Sequence, residues 1–304
     1  MTTAAAGRIF DRELLARRRE RAWAASQGGQ SFLLERVADD FAERLSIVRR
    51  TFDRAASIGS FDGTIARRLR TLPNVGFMVE TEAAPRLAAI ADGPMIVADD
   101  ELLPFADQSL DLVVSGLSWQ LVNDVPGTLA QIRRALKPDG LLLAALLGGE
   151  TLKELRDAWV VAESETTGGV SPRVAPFADL RELGALLQRS GFSLPVADLD
   201  VVTVAYASPL ALMRELKAMG ASNPLVERSR SPVRRDTLAR ADMVYRERHG
   251  RPDGRVTATF EIVTLTAWVP HESQQKPLRP GSATARLADA LGTTEQRLGR
   301  DGGS

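Results

Sequence analysis

Residues 95–149 read MIVADDELLPFADQSLDLVVSGLSWQLVNDVPGTLAQIRRALKPDGLLLAALLGG, and this stretch decides the fold. Three apolar runs stand in it, at 95–98, 110–115 and 141–147, and the last contains no polar residue. A strand with no polar alternation is what a parallel sheet covered on both faces needs. Between the second and third runs, 126–136 carries apolar residues at helical spacing, and Lys137-Pro138-Asp139-Gly140 makes a turn. The same alternation extends upstream. A short run at 55–58 enters Gly59, a helix follows at 64–69, and a strand at 75–79 ends at Glu80 with a helix behind it at 83–90. Strands alternating with helices predict an α/β fold, Rossmann-like, with a mostly parallel sheet wound on both faces.

Further out the signals are less regular. Residues 31–52 form an amphipathic helix, and helices are expected at 151–163 and 178–190, the second capped by Gly191. A sixth strand at 201–206 and a seventh at 260–269 complete a seven-stranded sheet, with a helical insertion between them at about 209–249. The organisation expected is an N-terminal helical segment over 1–50, one main domain over 51–270 and a polar C-terminal tail over 271–304.

Composition narrows the function. The 304 residues carry no formal net charge, so nothing in the balance points to nucleic acid or to an anionic membrane. Without cysteine there are no disulfides, thiolate metal sites or cysteine nucleophiles, and two histidines are too few for a multi-histidine metal site, so none is expected. The apolar runs are far shorter than the roughly 20 residues that span a bilayer, and no transmembrane segment is expected. The arginine-rich stretch 8–23 has the composition of a transit peptide but also carries Asp11, Glu13 and Glu20, and transit peptides are poor in acids. A cytoplasmic location is expected.

In an open parallel sheet the ligand sits beyond the carboxyl ends of the strands, where strand order reverses. That places Gly59, Glu80, Asp99, Asp100 and Ser115 along one edge. Gly59 and Gly63 bound a short loop in the position of a nucleotide loop, and Glu80 follows at the spacing of a ribose-binding acid. Glu80 also reads as a surface charge at a strand end. Trp119 and Gln120, just beyond the fourth strand, are candidates for a substrate pocket, although a core tryptophan is an equal reading. His249 reads as a cation at a helix C-terminus. The basic stretch 228–240 reads as a solvated face or as a dock for an acidic partner.

The segment Asp99-Asp100-Glu101-Leu102-Leu103-Pro104-Phe105 resembles the D-A-x-x-L-P-F segment of class I S-adenosylmethionine (SAM)-dependent methyltransferases, whose aspartate accepts a hydrogen bond from the adenine amino group. With it go 97–149, Gly168-Gly169-Val170-Ser171-Pro172, Trp268, His271-Glu272-Ser273-Gln274, Gly281-Ser282-Ala283 and Phe10-Asp11-Arg12-Glu13-Leu14. Together they resemble the family of the mitochondrial respiratory complex I assembly factor 5 and its bacterial relatives. The resemblance implies a methyltransferase-type fold, S-adenosyl-L-methionine as cofactor and a protein substrate, a complex I subunit, with peripheral association to the membrane through that complex. It leaves three activities open: methyl transfer, hydroxylation of an arginine, and a degenerate scaffold without catalysis. Two departures bear on the cofactor loop. Where the family reads L-D-L-G-C-G-x-G, this chain has Ser57 for the aspartate and Phe61 for the middle glycine. Phe61 is expected to reroute the loop or to project into the methionine end of the cleft. Gln120 stands where the family has a histidine. No catalytic base is legible.

Overall fold

The computed structural model describes residues 7–26, 31–274 and 292–293. Two helices, α1 (Arg12–Ser26) and α2 (Phe32–Ile47), precede β1 (Phe52–Ile58), α3 (Thr64–Leu69), β2 (Val75–Glu82), α4 (Pro85–Ala88) and β3 (Met95–Val97). Then come β4 (Leu110–Gly116), α5 (Val125–Ala135), β5 (Leu136–Leu147), α6 (Lys153–Thr167), α7 (Leu180–Arg189) and β6 (Ser193–Tyr206). The chain continues through α8 (Pro209–Ala218), α9 (Arg235–His249) and β7 (Val256–Trp268). The chain divides into two units, Met1–Pro270 and His271–Ser304, so α1 and α2 belong to the same unit as the sheet.

The seven strands form one sheet in the order β3-β2-β1-β4-β5-β7-β6. Strands β1 to β5 are parallel, and β7 runs antiparallel between β5 and β6. Strand order reverses between β1 and β4, which is where an open α/β sheet parts to admit a ligand. Every residue of β4 is buried, as an apolar strand at the centre of a doubly covered sheet must be. One face packs α2, α6 and α9 through Phe41, Leu45, Leu155, Trp159 and Tyr245. The other packs α5 and α7 through Leu129, Ile132, Leu183 and Leu187.

Boundaries moved where polar residues sit inside strands. β1 starts at Phe52 rather than 55, because Asp53 and Arg54 at its outer end are exposed. β2 runs on past Glu80 to Glu82, with both glutamates buried. β6 starts at Ser193, where alternating exposure along an edge strand hid it. The helix expected at 83–90 is a single turn, α4. The Lys137–Gly140 turn lies within β5: Leu110 pairs with Leu136 but Leu112 with Leu141, so the turn bulges from the ladder. The insertion is part of the core. Tyr245 of α9 is fully buried and its hydroxyl donates to the Thr257 carbonyl at 2.8 Å.

Candidate functional site

The loop after β1 is shaped by two glycines in the left-handed region, Gly59 (φ 68°) and Gly63 (φ 70°). A Cβ on Gly59 would lie inside contact distance of Ser118 Oγ and 2.9 Å from Asp100 Oδ2, so the backbone passes where no side chain fits. Phe61 does not take a left-handed conformation. The ring packs edge-on to Trp23 of α1, centroids 6.5 Å apart, with the Arg19 guanidinium 5.7 Å from its centre. Phe61 thus anchors α1 and also borders the cavities on either side of the loop. Ser57 is buried, and its hydroxyl meets that of Ser60 at 3.4 Å.

Besides Asp62 within the loop, Glu80, Glu82, Asp99 and Asp100 gather near it and the ends of β2 and β3. Glu80, two residues before the end of β2, receives the Ser60 hydroxyl and pairs with Arg70 at 2.8 Å. It borders a cavity of about 310 Å³ together with Ser60, Asp62, Gly63 and Met95. Glu82, at the strand end, is completely buried; it accepts the Ala84 N–H and pairs with Arg19 at 3.3 Å. Burial pushes its carboxyl above the usual range, against the pull of Arg19. Asp99 holds a forked contact with Arg12, at 2.9 and 3.3 Å, and accepts the Glu101 N–H. Burial works to raise its pKa, but the Arg12 hydrogen bond and charge outweigh it and hold Asp99 below the usual carboxylate range. Asp100 is buried, accepts the Ser118 hydroxyl and lies 3.7 Å from Arg12.

The expected residues therefore divide into three groups. Gly59, Gly63 and Glu80 surround the loop. Asp99 and Asp100 sit under Arg12. Ser115 is taken up inside the sheet, donating to the Ile58 carbonyl at 3.0 Å across the β1–β4 seam. Reading the sequence missed Arg12, Arg19, Glu82 and Asp62. The spacing of Arg12 and Arg19, seven apart on one helix face, was the available signal.

Beyond β4, Arg19, Phe61, Gly116, Leu117, Gln120 and Leu147 help enclose an apolar cavity of about 130 Å³. Gln120 donates to the Leu117 carbonyl at 2.7 Å, and its Oε1 is buried without a partner among the described residues. Trp119 is a core residue, 1% exposed, whose ring also borders an open groove against α7. No carboxylate among the described residues lines the smaller cavity. The basic stretch is anchored at its two ends, Arg228 pairing with Asp11 at 3.3 Å and Arg240 with Glu165 at 2.5 Å, while 229–236 are exposed. His249, last in α9, pairs with Asp157 at 3.1 Å.

Comparison with known proteins places this geometry. A methyltransferase-domain family profile matches residues 56–144. The chain is 39% identical over 288 residues to "Arginine-hydroxylase NDUFAF5, mitochondrial" of Danio rerio, covering 92% of this chain and 89% of that one. The human protein of that name is 38% identical, covering 92% and 83%. A malonyl-[acyl-carrier protein] O-methyltransferase of Laribacter hongkongensis is 34% identical, covering 85% and 90%. A solved structure, a methyltransferase-type protein of Bacillus halodurans, superposes with a TM-score of 0.52 at 14% identity, over 76% of this chain and 98% of that one, which speaks for the fold alone. A methyltransferase domain at the centre and relatives matched along nearly their whole length together establish that this chain belongs to the family of the arginine-hydroxylase NDUFAF5 complex I assembly factors.

Proposed function

We propose that this chain binds S-adenosyl-L-methionine around the Gly59–Gly63 loop and acts on a protein substrate, a subunit of respiratory complex I, while that complex is assembled. The cytoplasm is the proposed location, and no described helix is long and apolar enough to cross a membrane. The observation that carries the reading is the loop itself: two left-handed glycines at the topological switch point, with a backbone path that only glycine allows at Gly59. The donor set fits the group. Glu80 has acceptor oxygens for ribose hydroxyls, and Asp99 has them for the adenine amino group once Arg12 gives way. When bound, the cofactor supplies an electrophilic methyl group. The apolar cavity beside Phe61 and Gly116 would exclude water from the acceptor, and Gln120 Oε1 offers it one hydrogen-bond acceptor.

Hydroxylation of an arginine, the activity in the names of the zebrafish and human relatives, is the second reading. The orphan Gln120 Oε1 favours a substrate N–H there. The described residues offer no group of three metal-ligating side chains, so no step through a metal is derived.

Calorimetry with S-adenosylhomocysteine (SAH) tests the cofactor: saturable one-to-one binding is expected, and its absence leaves a scaffold role. Deleting the gene tests the role. Assembled complex I should fall while transcripts of its subunits stay constant, and normal NADH oxidation in the deletion strain would overturn the assignment.

A further inference from the structure

We propose that Asp62 holds the α-ammonium group of the cofactor through Oδ2, supplying the carboxylate that Ser57 lacks. The inference rests on the cofactor reading above. Asp62 is 9% exposed, and its two oxygens are treated differently by the fold. Oδ1 accepts the Thr64 N–H at 3.0 Å. Oδ2 is buried and has no hydrogen-bond partner among the described residues. A buried carboxylate oxygen left without a donor is costly, and native structures keep such groups where something outside the chain completes them.

The surroundings define what completes it. Asp62 borders the cavity of about 310 Å³ with Glu80 and Gly63, and a narrow cleft of about 10 Å³ with Ser57, Gly59 and Ser60. Arg67, a neighbouring cation, turns to the Asp62 backbone carbonyl at 3.4 Å and the Thr64 hydroxyl at 3.3 Å. An ionised carboxylate has only acceptor sites, so its partner must bring a proton donor. The sulfonium has none. The ribose hydroxyls have Glu80 beside Gly63. The donor left to match at the Ser57 end of the loop is the primary ammonium of the amino-acid moiety, whose charge also neutralises the carboxylate.

The test compares two ligands by calorimetry: SAH, which carries the ammonium, and 5′-methylthioadenosine, which lacks the amino-acid part. Asp62→Asn keeps an oxygen for the Thr64 N–H and removes the charge. It should weaken SAH binding at least tenfold and leave methylthioadenosine within twofold. Adding Ser57→Asp to that variant should recover most of the loss. Equal losses for both ligands, or unchanged SAH affinity, would overturn the proposal. Should Asp62→Asn fail to fold, the wild-type protein decides: deaminated SAH should bind at least tenfold more weakly than SAH, and equal binding sinks the idea. If methylthioadenosine binds and the amino group makes no difference, the cofactor cleft stands and Asp62 falls. If neither nucleoside binds the wild-type protein, both readings fall together.

Discussion

At Gly59 the backbone does something only glycine does without strain, and the neighbourhood leaves no alternative. Its φ of 68° is unfavourable for any side chain, and an added methyl would meet Ser118 and Asp100. Gly59→Ala should therefore lower unfolding stability by at least about 1–3 kcal/mol, read from urea denaturation. Gly63 has a similar φ, but its Cβ direction holds nothing closer than Glu80 Oε2 at 3.5 Å, so Gly63→Ala should cost less than Gly59→Ala. Phe61 teaches the opposite lesson. Its ring serves packing against Trp23 and Arg19 rather than blocking the loop. Phe61→Ala should destabilise the protein, by less than the roughly 3–5 kcal/mol of a fully buried phenylalanine, because the ring is only partly buried.

Among elements, α1 does the most unexpected work. Its segment is tied down by Asn123, whose Oδ1 accepts the Ile9 and Phe10 N–H groups, and by the Asp11 N–H on the Pro224 carbonyl. From there Arg12 covers Asp99 and Asp100 while Arg19 enters to Glu82. The carboxylate expected to meet adenine is thus already engaged by the chain, and on the cofactor reading proposed above Arg12 competes with the ligand for it. Arg12→Gln should raise SAH affinity and speed hydrogen exchange across α1; lower affinity would mean that Arg12 orients Asp99 for the ligand. The pair also sets a pH dependence. The Asp99 pKa is lowered in the folded state, so its contribution is present above the unfolded value of about 3.9 and is lost as pH falls through the lower folded value. Glu82 has the opposite sign: its pKa is raised by burial, and stability it contributes is lost as pH rises through that raised value. Urea midpoints should fall from pH 5 to pH 3, and Asp99→Asn should flatten that fall.

For the whole molecule, the sheet is a rigid frame and the ligand region is assembled from segments far apart in sequence. Residues 7–26, the 59–63 loop, the ends of β2 and β3 and the region after β4 meet only in the folded state. A ligand that binds this assembly and not the unfolded chain must stabilise it. At one hundred times its dissociation constant SAH should add about 2.7 kcal/mol, raising the melting temperature by roughly 4 °C. An unchanged melting curve would deny specific binding to the folded state.

The sequence by itself determined the doubly wound sheet, because uninterrupted apolar strands such as 141–147 have nowhere to go but between two covered faces. It also placed Gly59, Gly63 and Glu80 around the loop, since strand-end positions follow from element order alone. It placed the last residues of the edge strand β6 but could not extend it back to Ser193, where alternating exposure blurs the apolar signal, or extend β2 over glutamates whose burial depends on Arg70 and Arg19. Periodicity reports which face of an element is apolar, not which distant charge will neutralise a buried one. The charged partners of Asp99 and Glu82 and the aromatic partner of Phe61 lie on α1, more than 35 residues away along the chain, so only tertiary structure decided them. The unpaired oxygen of Asp62 is of the same kind: whether it finds a donor is settled by three-dimensional packing, and the described residues bring Oδ2 none.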